Sequence, residues 1–388
     1  MSGIVLSASV RQNLLSLQAT ADLLATTQNR LATGNKVNSA LDNPTNFFTS
    51  QGLNNRAGDI SNLLDSIGNG VQVLQAANTG LTSLQKLVDT AKSIANQVLQ
   101  TTVGYSTKST STSAIASGGT AANLVDGVTI KATDVLAIAA TGGGTATNIV
   151  FGASESLAQL NASLAANNLT ASLDNANKLV ITTTNDAASS TIGAITYTNT
   201  GGGTITFGAP TAPVADPASQ AIRSNLVNQY NGILSQITTT AQDSSFNGIN
   251  LLNADVLKLT FNETGKSTLN ITGVTYNATG LGLNSLVSGT DFLDNNSANK
   301  ALTALSAAST SLRTEASALG SNLSIVEIRQ NFSKNLINVL QTGSANLTVA
   351  DTNEEAANSQ ALSTRQSIAV SALALANQSQ QSVLQLLR

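Results

Sequence analysis

Long helical repeats of apolar and small residues dominate both ends of this chain. Between residues 298 and 340 they recur in steps of four and three, at Ala298, Leu302, Leu305, Ser309, Leu312, Ala316, Leu319, Leu323, Val326, Gln330, Ser333, Ile337 and Leu340. A 3.5-residue repeat held for this length is typical of a long helix that packs along its whole length against other helices. At about 1.5 Å per residue this helix is ~65 Å long, which predicts a rod.

A second long helix is predicted over residues 46–100. Its repeat runs through Leu53, Ala57, Ile60, Leu64, Ile67, Val71, Leu74, Asn78 and Leu81, and continues after one skipped step through Leu84, Val88, Ala91, Ala95 and Val98. Gly68, Gly70 and Gly80 lie inside it, and each costs about 0.5 to 1 kcal/mol relative to alanine. We therefore expect these glycines to mark close approach of a neighbouring element.

Two shorter helices flank the long ones. Residues 7–31 carry a narrow apolar seam that includes Leu14, Leu17, Leu24 and Leu31, and Gly34 can end this helix in a left-handed conformation. The helix predicted over residues 354–388 has a wider stripe, formed by Leu362, Ile368, Ala369, Ala372, Leu373, Leu375, Ala376, Val383, Leu386 and Leu387. A stripe of this width suits burial between several helices. The mirrored order of short and long helices predicts that the two termini lie together.

The middle of the chain has a different composition. Residues 105–217 are rich in Ser, Thr, Gly and Ala, which predicts a separate, strand-rich α+β domain. Strands are expected at residues 127–131, 147–151, 178–183, 194–198 and 203–207, with one helix at 154–166. The glycine runs at 142–144 and 201–203 lack the Lys-Ser/Thr and helix of a phosphate-binding loop, so we interpret them as turns.

Helical periodicity returns at Ala218, with Ile222, Leu226, Gln229, Ile233 and Gln236 as its expected seam. Alternation at residues 257–261 and 269–271 then predicts a β-hairpin with its turn at 263–266. The predicted fold is mainly α: a long-helix rod that carries an inserted α+β domain. The predicted segments are a helix and connector (1–45), a rod helix (46–104), the inserted domain (105–217), a second rod helix and hairpin (218–296), a long rod helix (297–345), and a connector and helix (346–388).

Composition narrows the possible functions. The chain has a net charge of -3 and 10% charged residues, without a basic stripe for nucleic acid or an anionic membrane. It contains no Cys and no His, which removes Cys–His pairs, Ser–His–Asp triads and the usual zinc sites, so we expect no cofactor, no metal and no catalysis. A carboxylate-based enzyme, such as a glycosidase, is the alternative, but its candidate acids are scattered: Asp126, Asp134, Glu155, Asp174 and Asp186.

Targeting features are also absent from the sequence. No stretch of about 18 apolar residues is present, and the N-terminus lacks the basic and apolar regions of a Sec signal peptide. We therefore expect neither a membrane span nor export by the Sec route.

Four motifs resemble bacterial flagellins. RLATGNKVNSALDN at residues 30–43 is similar to the connector after the first flagellin helix, and DSIGNGVQVLQAANTGLT at 65–82 is similar to a segment of the long helix. DSSFNGINLL at 243–252 resembles the "F-N-G" turn, and ALANQSQQSVLQLL at 374–387 resembles the C-terminal ending. The motifs occur in the family's order and cover both ends of the chain.

The resemblance implies a structural protein that is secreted through the flagellar type III apparatus, without cleavage, and polymerises into the extracellular filament. Its partners would be itself, alone or with other flagellins, and the export chaperone, the cap and the hook-associated proteins. The terminal helices would form an inner coiled pair, and the inserted domain would lie outside. The implied self-assembly residues are Leu14, Leu17, Leu24, Leu31, Leu312, Leu319, Leu373, Leu375, Val383, Leu386 and Leu387. The alternative is the hook–filament junction protein, which shares flagellin-like termini.

The sequence departs from the common flagellin pattern in two respects. The large insertion precedes the helix at Ala218, whereas many flagellins place theirs after the hairpin; within it, residues 151–164 resemble the flagellin hook IN motif. The helix patch that a Toll-like receptor reads in many flagellins, of the form QRVRELAVQ, aligns with residues 89–97. Asp89, Lys92, Ile94 and Gln97 belong to this segment, but Thr90 and Ser93 replace the Arg and the Glu, which predicts a degenerate receptor patch.

Overall fold

The computed structural model describes residues 8–200, 202 and 205–386. Six α-helices occur in this part of the chain: α1 (Ala8–Thr33), α2 (Pro44–Gln100), α3 (Leu157–Ala165), α4 (Pro217–Asp243), α5 (Asn295–Thr348) and α6 (Thr352–Leu386). One compact unit comprises Met1–Asn69, Leu259–Leu269 and Ile325–Arg388, and the other comprises Gly70–Lys258 and Asn270–Ser324. The long helices α2 and α5 contribute residues to both units.

Local sequence signals set the ends of these helices. Gly34 adopts a φ of 70° directly after α1, as its position predicted. Asn43 Oδ1 accepts a hydrogen bond from Asn46 N at 3.0 Å, and Pro44 is the first residue of α2. Asp216 caps α4 in the same way through Ala218 N, with Pro217 at the first position. The predicted helix at 154–166 is α3, which is shorter because Ser156 and Gln159 form a capping box.

The predicted seam of α5 is its covered face. All thirteen positions from Ala298 to Leu340 are buried or half-buried. The seam of α2 is covered in the same way, with Asn78 as an exposed exception. In the first unit, Ala57 and Ile60 of α2 form a buried cluster with Leu340 of α5. In the second unit, Gln85 Nε2 donates to Ser309 Oγ at 2.8 Å.

The expectation for the helical glycines holds at one position and fails at another. A Cβ at Gly80 would collide with the Ser244 side chain and lie 2.7 Å from Leu252 Cδ1, so this glycine does mark a close approach. At Gly68 the expectation is wrong, because a Cβ added there would have Gln330 Nε2 as its nearest neighbour, 4.0 Å away.

The α4 seam predicted from the sequence is also wrong in phase. Ile222, Gln229 and Gln236 are exposed, whereas Leu226 is buried as expected. The buried positions of α4 are Ser219, Arg223, Leu226, Val227, Tyr230, Leu234, Ile237 and Ala241. The error arose because an arginine occupies a central position of the buried face.

Among its described residues, the inserted domain has eight strands: β1 (Tyr105–Thr107), β2 (Thr110–Thr112), β3 (Val135–Ile138), β4 (Thr147–Val150), β5 (Leu169–Leu173), β6 (Leu179–Thr183), β7 (Ile195–Thr198) and β8 (Val214–Ala215). Two antiparallel sheets have the orders β2-β6-β5 and β4-β3-β7. Their inner faces share one core with α3, including Leu136, Phe151, Leu160, Leu164 and Ile181. Strands β1 and β8 pair at the point where the chain enters and leaves the domain.

Strands β4, β6 and β7 confirm three of the predicted strands, and two predictions are wrong. Residues 127–130 form bends and residue 131 is not part of a strand, because the Asp126 carboxylate accepts hydrogen bonds from Val128 N, Thr129 N and Ile130 N. Within 203–207, residues 203 and 204 lie outside the described residues, and Phe207 forms only an isolated bridge with Ser113. In the other glycine run, Gly142 and Gly143 have positive φ values, as expected of a turn.

The predicted hairpin is present. Its strands are β9 (Val256–Thr260) and β10 (Thr268–Thr272), and Gly265 has a φ of 69° in the turn between them. Phe261 N donates to the Ser267 carbonyl at 2.8 Å and closes the loop.

Candidate assembly surface

The terminal helices α1 and α6 pack side by side in the first unit. Ala350 N donates to the Gly34 carbonyl at 2.9 Å, so α1 ends where α6 is about to begin and the two helices are antiparallel. The covered face of α1 comprises Val10, Asn13, Leu17, Thr20, Ala21, Leu24 and Thr27, and that of α6 comprises Glu355, Ser359, Leu362, Gln366, Ala369, Leu373 and Ala376. Both sets advance mainly by three and four residues, which is the spacing of a coiled pair.

The pair leaves large apolar side chains uncovered. Leu14, Leu15, Leu23 and Leu31 of α1 and Ile368, Val370 and Leu375 of α6 are all exposed. Burying one such side chain stabilises an assembly by about 1.5 to 3 kcal/mol. Exposed apolar residues at this density on two adjacent helices are typical of a surface that another protein covers.

The structure describes the side chains of eight of the predicted assembly residues, which fall into three groups. Leu17, Leu24 and Leu373 lie half-buried between α1 and α6, whereas Leu14, Leu31 and Leu375 are exposed. Leu312 and Leu319 are 1% and 2% exposed, so other side chains of the same chain already cover them. Val383 and Leu386 belong to α6, without a described side-chain position, and Leu387 lies outside the described residues.

The connector between α1 and α2 is held in place at both of its ends. Asn35 forms a bridge with Val349, and the backbone N–H groups of Lys36 and Val37 both donate to the Thr348 carbonyl. At the other end, Asp42 accepts hydrogen bonds from Ser39 N at 2.8 Å and Asn38 N at 2.9 Å. These bonds hold the pKa of the Asp42 carboxyl below its usual value.

Sequence reasoning treated this connector as a simple link between helices. The Asp-Asn-Pro order at 42–44 was a signal for its structure, because Asp and Asn before a proline fix turns and helix starts.

An ion pair between Arg30 and Glu355, 3.3 Å apart, joins α1 to α6 beside the connector. Because the Arg30 side chain is 39% exposed, solvent screens this pair and its contribution is about 1 kcal/mol or less.

The predicted receptor patch lies on α2. Asp89, Thr90, Ser93 and Gln97 are exposed, Lys92 is half-buried and Ile94 is buried. Thr90 Oγ1 donates to the Lys86 carbonyl of its own helix at 2.9 Å, and Asp89 Oδ1 accepts from Gln85 Nε2 at 3.1 Å. Two of the exposed polar groups of the patch, those of Asp89 and Thr90, therefore already have partners within their own helix.

Arg223 is the largest polar group that sequence reasoning missed. Its side chain is fully buried in the second unit, where Nε donates to the Thr102 carbonyl, Nη1 to the Phe292 carbonyl, and Nη2 to the Val98 and Thr101 carbonyls. Burial lowers the pKa of the guanidinium, and the nearby Asp294 carboxylate acts in the opposite direction. The arginine thus joins the end of α2 to the start of α5. Its only sequence signal was a lone Arg on an otherwise apolar helix face.

Several of the acids considered for catalysis accept hydrogen bonds that stabilise loops. Asp126 accepts bonds from its own loop, Asp174 Oδ1 accepts from Ala176 N and Lys178 N, and Asp134 Oδ2 accepts from Lys131 N and Tyr197 Oη. Each of these carboxylates stabilises a turn or a strand end of the inserted domain.

Comparison with known proteins identifies the family. The model of the bacterial flagellin N-terminal helical region matches residues 5–137, and that of the bacterial flagellin C-terminal helical region matches residues 302–387. Together the two regions span more than half of the chain. The chain belongs to the flagellin family, as its motifs predicted.

Individual relatives agree with this assignment. Flagellin FljM of Caulobacter vibrioides is 33% identical over 168 residues, which are 42% of this chain and 59% of FljM. Flagellin FljK of the same bacterium is 31% identical over 168 residues, again 42% of this chain and 59% of the relative. Flagellin A of Rhizobium meliloti is 34% identical over 127 residues, 32% of this chain and 27% of that protein. The chain thus matches less than two thirds of the length of each relative.

Within the part of the chain that the structure describes, none of the helices combines the length and apolar character needed to cross a membrane.

Proposed function

We propose that this chain is a structural subunit that polymerises into the bacterial flagellar filament and performs no catalysis. The observation that carries the proposal is the apolar surface of the α1–α6 pair, where seven large apolar side chains are exposed. Covering this surface with further copies of the chain would remove the apolar area from water and drive assembly without any cofactor.

The covered face of the pair adds a second argument. It mixes leucines with Thr20, Thr27, Glu355 and Gln366, so it is less apolar than an ordinary coiled-coil seam. A pair of helices with such a seam gains modest stability from its own contact. Additional burial against neighbouring copies would complete it, and folding of the termini would then be coupled to assembly.

Export and location follow from the same proposal. A filament subunit would leave the cell through the flagellar type III apparatus and would act outside the cell. Its other partners would be the export chaperone, the cap and the hook-associated proteins. The hook–filament junction alternative is not favoured, because the relatives described above are flagellins.

Polymerisation of the purified chain tests the proposal. Monomers are incubated with ammonium sulfate, which strengthens apolar burial, and the products are imaged by electron microscopy. We expect long filaments from the full chain and soluble, helical monomers from a variant that lacks residues 374–388. Filaments from the truncated variant, or none from the full chain, would contradict the proposal.

A matched pair of substitutions separates the terminal surface from general effects on solubility. Leu375→Ser changes an exposed leucine of α6, and Val128→Ser changes an exposed valine of the inserted domain to a similar extent. We expect only Leu375→Ser to raise the monomer concentration at which filaments form.

A further inference from the structure

The sequence contains three Asn-Gly pairs that differ in their backbone surroundings. They are Asn69–Gly70, Asn231–Gly232 and Asn247–Gly248. The first two pairs lie in the interiors of α2 and α4, where each backbone N–H donates to the carbonyl four residues earlier. The third pair lies in the short turn that follows α4. One chain therefore presents the same dipeptide in two helices and in a turn.

The turn at Asn247–Gly248 is small and exposed to solvent. The N–H groups of Phe246 and Ile249 each donate to the carbonyl of the other residue, and both distances are 3.0 Å. Asn247 has a φ of 50° and Gly248 a φ of 80°, which is the type I′ geometry that favours this dipeptide. Both residues are exposed. The turn is therefore closed by two hydrogen bonds at the protein surface.

The two neighbouring amides in this turn are not engaged elsewhere. Among the residues that the structure describes, none forms a hydrogen bond with the Asn247 side chain or with Gly248 N. Asn231 differs, because its Nδ2 donates to the Leu286 carbonyl at 2.7 Å and its Oδ1 accepts from Leu286 N at 2.9 Å. Gly248 also has no Cβ that could hinder approach to its nitrogen.

We propose that Asn247 is a site of spontaneous deamidation. The backbone nitrogen of Gly248 attacks Asn247 Cγ and closes a succinimide ring, an intramolecular reaction that gains from proximity. The Cγ–Nδ2 bond breaks, and ammonia leaves with the proton that the Gly248 nitrogen has lost. Water then opens the ring at either carbonyl and gives aspartate or isoaspartate. The net reaction consumes water and releases ammonia, so it needs no oxidant and no cofactor.

The ease of local opening selects this pair over the other two. Ring closure requires the backbone of the asparagine to rotate, so the turn or helix around it must open first. A turn closed by two exposed hydrogen bonds opens by itself, whereas the interior of a helix opens only when its packed turns unwind. We expect Asn247 to react about ten- to a hundredfold more slowly in the folded chain than in the denatured chain. Asn69 and Asn231 should be slowed further.

The product changes the turn but should leave its surroundings folded. Isoaspartate lengthens the backbone path between Phe246 and Ile249, so their two hydrogen bonds can no longer both form. The change should stop at Asn250, whose buried Nδ2 donates to the carbonyls of Ala241 at 2.8 Å and Gln242 at 2.9 Å. Either product adds one negative charge to the net charge of -3.

This inference goes beyond the proposed function, and the chemistry does not depend on it. One consequence does rest on the proposed function. Because the reaction is irreversible, the product would accumulate with the age of each subunit in a filament outside the cell.

Peptide mapping of the aged protein tests the proposal. The full chain is incubated in mildly alkaline buffer, and mass spectrometry follows the conversion of the side-chain amide to a carboxylate at all three pairs. We expect conversion at Asn247 well before Asn69 and Asn231. The rate should rise with pH, because the attacking nitrogen must lose its proton. The same chain in urea is the control, and there the three pairs should react at similar rates because only the local sequence remains.

The variant Asn247→Gly provides a second measurement. Glycine suits the positive φ of this position but has no side-chain amide. We expect the acidic species that ion exchange resolves from the aged chain to be absent at the corresponding time in this variant. Its melting temperature should stay close to that of the unchanged chain, which would show that the fold is retained.

Three results would overturn the proposal. Asn69 or Asn231 could react as fast as Asn247 in the folded chain, Asn247 could stay intact over times far longer than the expected slowing, or Asn247→Gly could form the same acidic species at the same rate. All of these measurements use the monomer, so their outcome is independent of whether the chain forms filaments. Failure of the proposed function would leave this inference standing, and the reverse is also true.

Discussion

Arg223 Nη1 donates to the Phe292 carbonyl oxygen over a distance of 2.6 Å, which joins the start of α4 to the segment that leads into α5. The same guanidinium binds carbonyls at the end of α2. A helix end leaves its last carbonyls without partners, so one planar group with five donors satisfies several of them at once.

Replacing this arginine should therefore be costly. Arg223→Met would leave buried carbonyls unpaired, and we expect the free energy of unfolding to fall by about 3 kcal/mol or more. Arg223→Lys should lose less, because an ammonium group keeps three donors. Chemical denaturation followed by circular dichroism measures the difference, with Arg11→Met on the exposed face of α1 as the control. Equal stability of Arg223→Met and the control would show that the guanidinium bonds are dispensable.

The α5 seam should not tolerate charge. Leu312→Asp or Leu319→Asp would place a carboxylate among covered apolar side chains, at a cost of several kcal/mol unless the group is neutralised. We expect a lower melting temperature and loss of filaments. Thr314→Asp, at an exposed position on the same helix, serves as the control. A normal melting temperature for both leucine variants would contradict the packing described for α5.

The inserted domain should be dispensable for polymerisation. Tyr105 pairs with Ala215, and Asp216 N donates to the Gly104 carbonyl at 3.0 Å, so a short Gly/Ser linker can join the two ends. The shortened chain should still form filaments, thinner and smoother in electron micrographs. Failure to assemble, with helix content retained by circular dichroism, would mean that the domain supplies essential contacts between copies.

The chain should be a poor agonist of the Toll-like receptor that senses flagellin. Thr90 and Ser93 cannot form the charge-assisted bonds of an Arg and a Glu, which are worth roughly 1.5 to 3 kcal/mol each. Loss of both would reduce affinity by a factor on the order of 10² to 10⁴. A reporter-cell titration of the monomer measures this, and Thr90→Arg with Ser93→Glu should restore a signal. Activation at the concentrations of a responsive flagellin would contradict the prediction.

Asp126 should make part of the stability of the inserted domain depend on pH. Partial burial opposes its ionisation, but hydrogen bonds from Thr129 Oγ1 and from the N–H groups of Val128, Ile130 and Thr129 lower its pKa from 3.8 to about 2. Because the folded-state pKa is below the unfolded value, this stabilisation is complete above pH 3.8 and is lost as the pH falls towards 2.

The variant Asp126→Asn isolates this contribution. We expect it to be less stable than the unchanged chain near neutral pH, with the difference shrinking between pH 4 and pH 2. Melting temperatures measured across that range check the expectation. A difference that stays constant with pH would assign the effect to packing rather than to ionisation.

The long helices could be predicted from sequence because their signal is repeated many times. Each heptad from Ala298 to Leu340 supports the same phase, so single polar members such as Ser309 and Gln330 did not obscure it. The observed α5 extends beyond the predicted ends, to Asn295 and Thr348. The extra residues lie where the apolar repeat has faded and capping decides the boundary.

Short elements were predicted less well because one residue can change their outcome. Residues 127–131 contain Val, Thr and Ile, which favour a strand, yet hydrogen bonds to the Asp126 carboxylate fold residues 127–130 into bends. On α4, the buried face was not predicted because a charged residue, Arg223, lies at its centre. The burial of this arginine depends on carbonyls contributed by residues far away in the sequence.

Strands β1 and β8 pair where the chain enters and leaves the inserted domain. This pairing affects how the sequence and length of the domain can vary. Since entry and exit are hydrogen-bonded to each other, the length of the intervening chain places no constraint on the distance between Gly104 and Asp216. Residues can be gained, lost or exchanged inside the domain while the phase of the helical repeats on either side stays the same. Natural selection can therefore remodel what the domain presents to its surroundings separately from the contacts made by the helices.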